Sequence, residues 1–328
     1  MTRSTVRIAL CLLAGAALIV SCSDSTSPGG GGGGGGGGNA HPVGHTPTFA
    51  LLDNGPWGAA ISSTGLAYMT RPLTDSVSAI NLTGPAVAAS FAVGNRPDDI
   101  VFNASGSQAY VTNLDDQTVG VINTTTGVQT GTYNVPGQPF RILVGPGGTN
   151  LYVTLASGSV QVLNAATGDS VASIAVGATP NGMALDQTTG MLYVSGASSG
   201  SITEINTSTN AFSRNIPVGG NPQDIALVHA THKLYIANQA NAFQTYDLTA
   251  ATITTVLVDD AFGLAITPDA TEAWVTEPRD GKITIIKLAT GAVSDTIGSI
   301  GQPRHLAFSP DGKTAMIANE VGSVVVVK

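Results

Sequence analysis

One recurring landmark constrains this chain more than any other feature. Tyr68-Met-Thr, Tyr110-Val-Thr-Asn, Tyr152-Val-Thr, Tyr193-Val-Ser, Tyr235-Ile-Ala-Asn and Trp274-Val-Thr follow one another, with Met316-Ile-Ala-Asn in a seventh slot. Their spacings are 42, 42, 41, 42, 39 and 42 residues. A second series keeps the same phase: Pro56, Pro97, Pro139, Pro180, Pro222, then Ala261 in place of proline, then Pro303. Two landmarks in step over seven units define a repeat protein, and a period of about 40–45 residues is that of a β-propeller blade.

Each unit reads as four short strands. In the second unit they are 99–102, 108–113, 118–123 and 128–135. Asn123, Asn164, Asn206 and Asp247 stand where a side chain can accept backbone hydrogen bonds at a turn. Gly127, Gly168 and Gly291 stand where φ should be positive, with Asn210 a tolerated substitute. Ala251 breaks that rule in the unit with the 39-residue spacing, which predicts a local distortion there. The last unit has three strands, 304–309, 314–319 and 323–327. The orphan segment 46–52 precedes Pro56 by the interval at which Phe91 precedes Pro97, and should supply the missing outer strand. The expectation is an all-β, seven-bladed propeller of four-stranded antiparallel blades, closed by an N-terminal strand.

Tyr110-Val111-Thr112-Asn113 and the run from Pro303 to Gly312 resemble the YVTN-repeat, YncE-like propeller family over residues 56–328. The resemblance implies the fold. It carries no activity, because a fold hosts many functions.

Ahead of the repeats stands an address. Arg3 and Arg7 precede the apolar run from Ile8 to Val20, too short to span a bilayer at about 20 residues. Ile19-Val20-Ser21-Cys22 resembles the bacterial lipoprotein signal, which implies that 1–21 are removed and Cys22 carries lipid. Ser23 stands where an inner-membrane retention signal would place Asp, so the expected location is the outer membrane, facing periplasm or cell surface. Residues 22–45, with Gly29 to Gly38 unbroken, should be a disordered tether with a reach of roughly 25–30 Å. Residues 46–328 then form one domain, contacting the membrane through the anchor only. The two cysteines, Cys11 and Cys22, both fall outside it, so it has no disulfide and no thiolate metal site. The formal charge of −8 becomes −10 without Arg3 and Arg7, which disfavours nucleic-acid partners.

Blade order locates a candidate site. The residues after each landmark proline should line the mouth of the central channel: Trp57, Asp98, Asp99, Phe140, Arg141, Asn181, Gln223, Asp224, Phe262, Arg304 and His305. Arg71, Asn113, Asn238, Glu277 and Asn319, at the ends of the second strands, should form its rim. Charges and aromatics meeting at a concave mouth are the usual make-up of a ligand site. The same residues read equally as repeat consensus and inter-blade ties. His229 and His232 on the opposite face, His41 and His45 in the tether, and Asp115-Asp116 and Asp259-Asp260 in loops are weaker metal candidates without a calcium-loop pattern. Nucleophile elbows, phosphate loops and zinc-protease motifs are absent. The favoured expectation is a binding or interaction module for a ligand or an envelope protein, with no cofactor. A lactonase- or lyase-type enzyme would instead hold a divalent metal at the funnel through Glu277, Asn113 and Asp98 or Asp99, with His305 as acid or base. A structural surface scaffold is the third reading.

Overall fold

The computed structural model of the protein describes residues 42, 45–51 and 55–328. Cys22, the signal segment 1–21 and nearly all of the tether 22–45 lie outside the described residues. The described chain is all-β. Seven four-stranded antiparallel sheets form the blades of a propeller, with two 3-10 turns at Pro146–Gly148 and His229–Thr231. The inner strands, in blade order, are Ala59–Ile61, Pro97–Phe102, Pro139–Val144, Pro180–Asp186, Pro222–Val228, Leu264–Ile266 and Pro303–Phe308.

Blade seven is completed as expected. Its outer strand is Pro47–Leu51, which pairs antiparallel with Ser323–Val327, Pro47 opposite Val327 and Leu51 opposite Ser323. Just before it, the His45 ring meets Trp274 edge-on at 5.5 Å and hydrogen-bonds Asp295.

The turns form for the reasons the residues give. Asn123 Oδ1 accepts from the N–H groups of Thr125 and Thr126, and Asp247 Oδ1 from those of Thr249 and Ala250. Ala251 does adopt a positive φ, of 53°. Blade five is nevertheless regular. Its third and outer strands pair without a break, from Ala242 opposite Leu257 to Asp247 opposite Thr252. In the blade before it, the same pairing carries a bulge between Glu204 and Ile205. The missing bulge residue accounts for part of the short spacing, so the expected distortion is instead a deletion that straightens the strand.

The landmark motif is inter-blade packing. Its second position (Met69, Val111, Val153, Val194, Ile236, Val275, Ile317) is at most 1% exposed in every blade. The hydroxyls of Tyr68, Tyr110 and Tyr152 reach the outer turn of a neighbouring blade, donating to the carbonyls of Thr124, Ala165 and Thr207 at 3.4 Å. Where the third position is Thr or Ser it is a hydroxyl bridge; blades five and seven carry Ala237 and Ala318 there. Thr112 Oγ1 accepts from Asp99 N–H at 2.9 Å and donates to Phe140 O of the next blade at 2.7 Å. Thr70 and Thr276 repeat the arrangement on Gly58 and Asp98, and on Gly263 and Arg304. Thr112→Val keeps the shape and leaves a buried N–H and C=O unpaired. It should cost about 1–3 kcal/mol in denaturant unfolding, and an unchanged midpoint would remove the bridge from the account.

Candidate functional site

Four inner strands enter their sheets through a bulge of two residues. Pairing with the second strand is interrupted between Pro97 and Ile100, Pro139 and Ile142, Pro180 and Met183, and Pro303 and Leu306. In these four blades the two residues after the landmark position are freed from the ladder, whereas in blade five only Gln223 is skipped and Asp224 pairs with Ala237. The two positions form two tiers about the axis.

The first tier is a collar of Trp57, Asp98, Phe140, Asn181, Gln223, Phe262 and Arg304. The second is a belt of Asp99, Arg141, Asp224 and His305, interrupted by Gly58, Gly182 and Gly263. Those glycines are required by close approach. A Cβ on Gly263 would stand 2.2 Å from Arg304 O, and one on Gly58 would stand 2.5 Å from Asp98 O.

The belt is buried and crosses the channel. Arg141 lies 3.5 Å from a carboxylate oxygen of Asp99 in blade two, and 3.5 Å from one of Asp224 in blade five. Both carboxylates also accept backbone N–H groups: Asp99 from Ile142 at 3.0 Å, Asp224 from Leu264 at 3.1 Å and from its own neighbour Ile225 at 3.0 Å. Burial opposes ionisation of Asp224, but Arg141 and the Leu264 N–H outweigh it and hold its carboxyl below the usual range. Burial would lower the Arg141 pKa, and Asp99, Asp224 and Asp98 more than offset that. His305 is pushed down by burial and by Arg141, against the pull of Asp224 and Asp99. Its Nδ1 stands 3.7 Å from Asp224 Oδ2, beyond hydrogen-bond range, and is buried without a hydrogen-bond partner.

Asp98 sits half-buried in the collar. Burial and the adjacent Asp99 push its carboxyl up to about 7, against Arg141 and Arg96. Unfolded Asp titrates near pH 3.9. Between that value and pH 7 the native state therefore keeps a proton that the unfolded chain has lost, and stability falls as pH rises. Asp98→Asn should match the parent near pH 3 and exceed it at pH 8 by about 2–4 kcal/mol in urea melts. Equal gains at both pH values would remove the titration from the account.

The collar is lopsided. Trp57 and Phe262 meet edge-on at 6.0 Å, and both border the His305 ring, at 6.3 and 5.4 Å. The Arg304 guanidinium lies over both, 4.5 Å from the Trp57 ring and 4.9 Å from that of Phe262. Glu320 holds it from the side through the Arg304 Nε donor at 2.7 Å. On the other arc Asp98 and Phe140 are followed by a chain of amides. Asn181 donates to Gln223 at 2.7 Å, Gln223 to Gln239 at 3.0 Å, and Gln239 to Asp260 at 2.9 Å. Glu320 and Gln239 were not expected at the site. Each directly follows a motif asparagine, Asn319 or Asn238, so extending the repeat by one residue locates them.

The rim side chains engage their own hairpins. Asn238 accepts from the N–H groups of Asn221 and Ala240 and donates to Gly219 O and Gln244. Asn319 accepts from Gln302 N–H and donates to Ser323, and Asn113 donates to Thr118. Glu277 pairs with Lys282 at 3.0 Å and accepts from Thr284. Arg71 ends its strand opposite Ser76.

Several weaker candidates among the described residues have partners within the chain, and His41 lies outside the described residues. On the opposite face His229 bonds Asp186 of the neighbouring blade at 3.0 Å and its ring lies 5.4 Å from that of His232. Asp116 accepts from the N–H and side chain of Asn95, and Asp260 from Arg279 N–H. Among the described residues no group of three or more His, Cys, Asp and Glu could hold a metal ion.

Fold and site together define a seven-bladed β-propeller with a two-tier axial ring. Two solved structures of similar shape are a hydrazine synthase from Kuenenia stuttgartiensis and a virginiamycin B lyase from Staphylococcus aureus. The first has a TM-score of 0.76 at 16% identity over 84% of this chain and 96% of that one. The second has 0.73 at 17% over 86% and 99%. No protein-family model and no curated protein matches the sequence.

Proposed function

We propose that the chain is an exported, lipid-anchored propeller of the YVTN-repeat, YncE-like kind. Its collar serves as a binding module for a ligand or an envelope protein. The observation that supports this reading best is the division of the collar. A cation–aromatic wall of Trp57, Phe262 and Arg304 stands on one arc, and on the other Asp98, Asn181 and Gln223 offer hydrogen-bonding groups around Phe140. Apolar faces beside a few convergent polar groups suit recognition. A scaffold would need only charges cancelled between adjacent blades, whereas Arg141 reaches from blade three to blade five.

Thermal-shift and calorimetric titration of the purified protein with muropeptides and envelope oligosaccharides tests the collar. A binder whose affinity Trp57→Ala lowers by about tenfold or more is the expected result. Binders indifferent to both Trp57→Ala and Phe262→Ala would place recognition elsewhere. Incorporation of an alkyne fatty acid, lost in Cys22→Ser, checks the anchor.

A second reading has Asp98 in its favour, since a carboxyl poised near neutrality suits acid–base chemistry. In a lyase- or lactonase-type enzyme, collar and belt oxygens would bind a divalent metal. A stoichiometric metal ion with turnover of a lactone would establish that reading and displace the first.

A further inference from the structure

Beyond the belt the axis opens into a cavity of about 220 Å³. It runs away from the collar to the loops that follow the inner strands, where Ser63, Pro268, Ser309 and Pro310 border it. Its walls are apolar, built from inner-strand residues such as Ile100, Ile142, Met183, Leu264 and Leu306. Its polar end is the belt itself: Asp99, Arg141, Asp224 and His305 all line it. A space of this size suits a molecule smaller than those that fill ordinary ligand pockets of roughly 300–1,000 Å³.

Two independent features of the polar end select its occupant. The first is charge. Asp99 and Asp224, 7% and 6% exposed, face a single guanidinium, and His305 adds no compensating charge because burial and Arg141 disfavour its protonated form. One negative charge is left over in an apolar enclosure, where an uncompensated ion is costly. The second is an orphan atom. His305 is 5% exposed, and its Nδ1 has no hydrogen-bond partner although Asp224 Oδ2 is 3.7 Å away. A donor lodged beside that pair would satisfy both. Water would supply the donor without the charge and would wet an apolar volume. An anion would face both carboxylates, with the one guanidinium already shared between them.

We infer that this cavity is a binding site for a small organic cation, a primary ammonium on a compact apolar body. The ammonium donates to Asp224 and to the free nitrogen of His305, and the body fills the space between the inner strands. The site faces away from the collar and does not rest on the function proposed for it.

Calorimetry with 2-phenylethylamine at pH 7.5, against the neutral isostere 2-phenylethanol and the anion 3-phenylpropionate, tests the inference on the unaltered protein. One site is expected, with the amine at least about tenfold tighter than the alcohol and the carboxylate not bound. Asp224→Asn, which keeps an acceptor oxygen for the Leu264 N–H, should lower amine affinity by about tenfold or more and leave the alcohol unchanged. Ala226→Leu, on the cavity wall, should weaken both. Equal affinities for amine and alcohol, no amine binding up to roughly 10 mM, or full binding by a folded Ala226→Leu protein would each overturn it. The isostere comparison decides the matter even where a variant fails to fold.

Discussion

Arg141→Met should destabilise the protein by about 3–5 kcal/mol at pH 8, lowering Tm by roughly 10 °C. The side chain is central to the belt, and its removal strands Asp99 and Asp224 in an apolar channel without a counter-charge. The penalty has a definite pH dependence. In the parent, the depressed Asp224 pKa contributes stability that is present above the unfolded value near 3.9 and lost as pH falls through the lower native value. Without Arg141 that carboxyl is governed by burial, its pKa rises, and ionisation at pH 8 becomes a cost. The deficit of the variant should therefore be largest at pH 7–8 and shrink toward pH 4–5 as the carboxyls take up protons. Urea melts at both ends of that range read the difference directly. A deficit that does not vary with pH would mean that methionine is simply a poor fit.

The second large effect concerns closure. Removing residues up to 51 strips the outer strand from blade seven and exposes the edge of Ser323–Val327, whose Val324 to Val327 are fully buried. The lost ladder and apolar cover are worth on the order of 5 kcal/mol, or on the order of 10 °C in Tm. Aggregation through the bared edge should accompany the loss. Removal of residues up to 41 alone should leave Tm unchanged. A shorter chain lacking the strand that melts with the parent would show that blade seven holds without it.

Much of the architecture was legible because a repeat reports itself seven times. Tyr110, Thr112 and Asn113 each have one inter-blade or turn role, and those roles recur with the residues, so phase alone gave blade number, strand order and the closing segment. The site was legible only in part. The sequence brought the post-landmark residues to the axis, but not their division into collar and belt, which follows from bulge geometry and the glycines between. The cross-channel pairing of Arg141 with Asp224 joins residues 83 positions apart (141 to 224), through ring curvature that no local pattern encodes. The apolar cavity was illegible for a related reason. Its walls are ordinary inner-strand residues such as Ile142 and Leu264, distinguished only by bordering the axis.

The pairing of Thr48 with Val326, 278 residues away in sequence, also sets an order of events. Six blades consist of consecutive strands and can assemble as the chain is made, but the seventh waits for its two most distant segments to meet. Formation of the complete ring is thereby deferred until the last strand is free, and long-range contacts of this kind form slowly. In the export proposed above, with Pro47–Leu51 leading, the chain would cross the membrane with that latch undone and lock only on the far side.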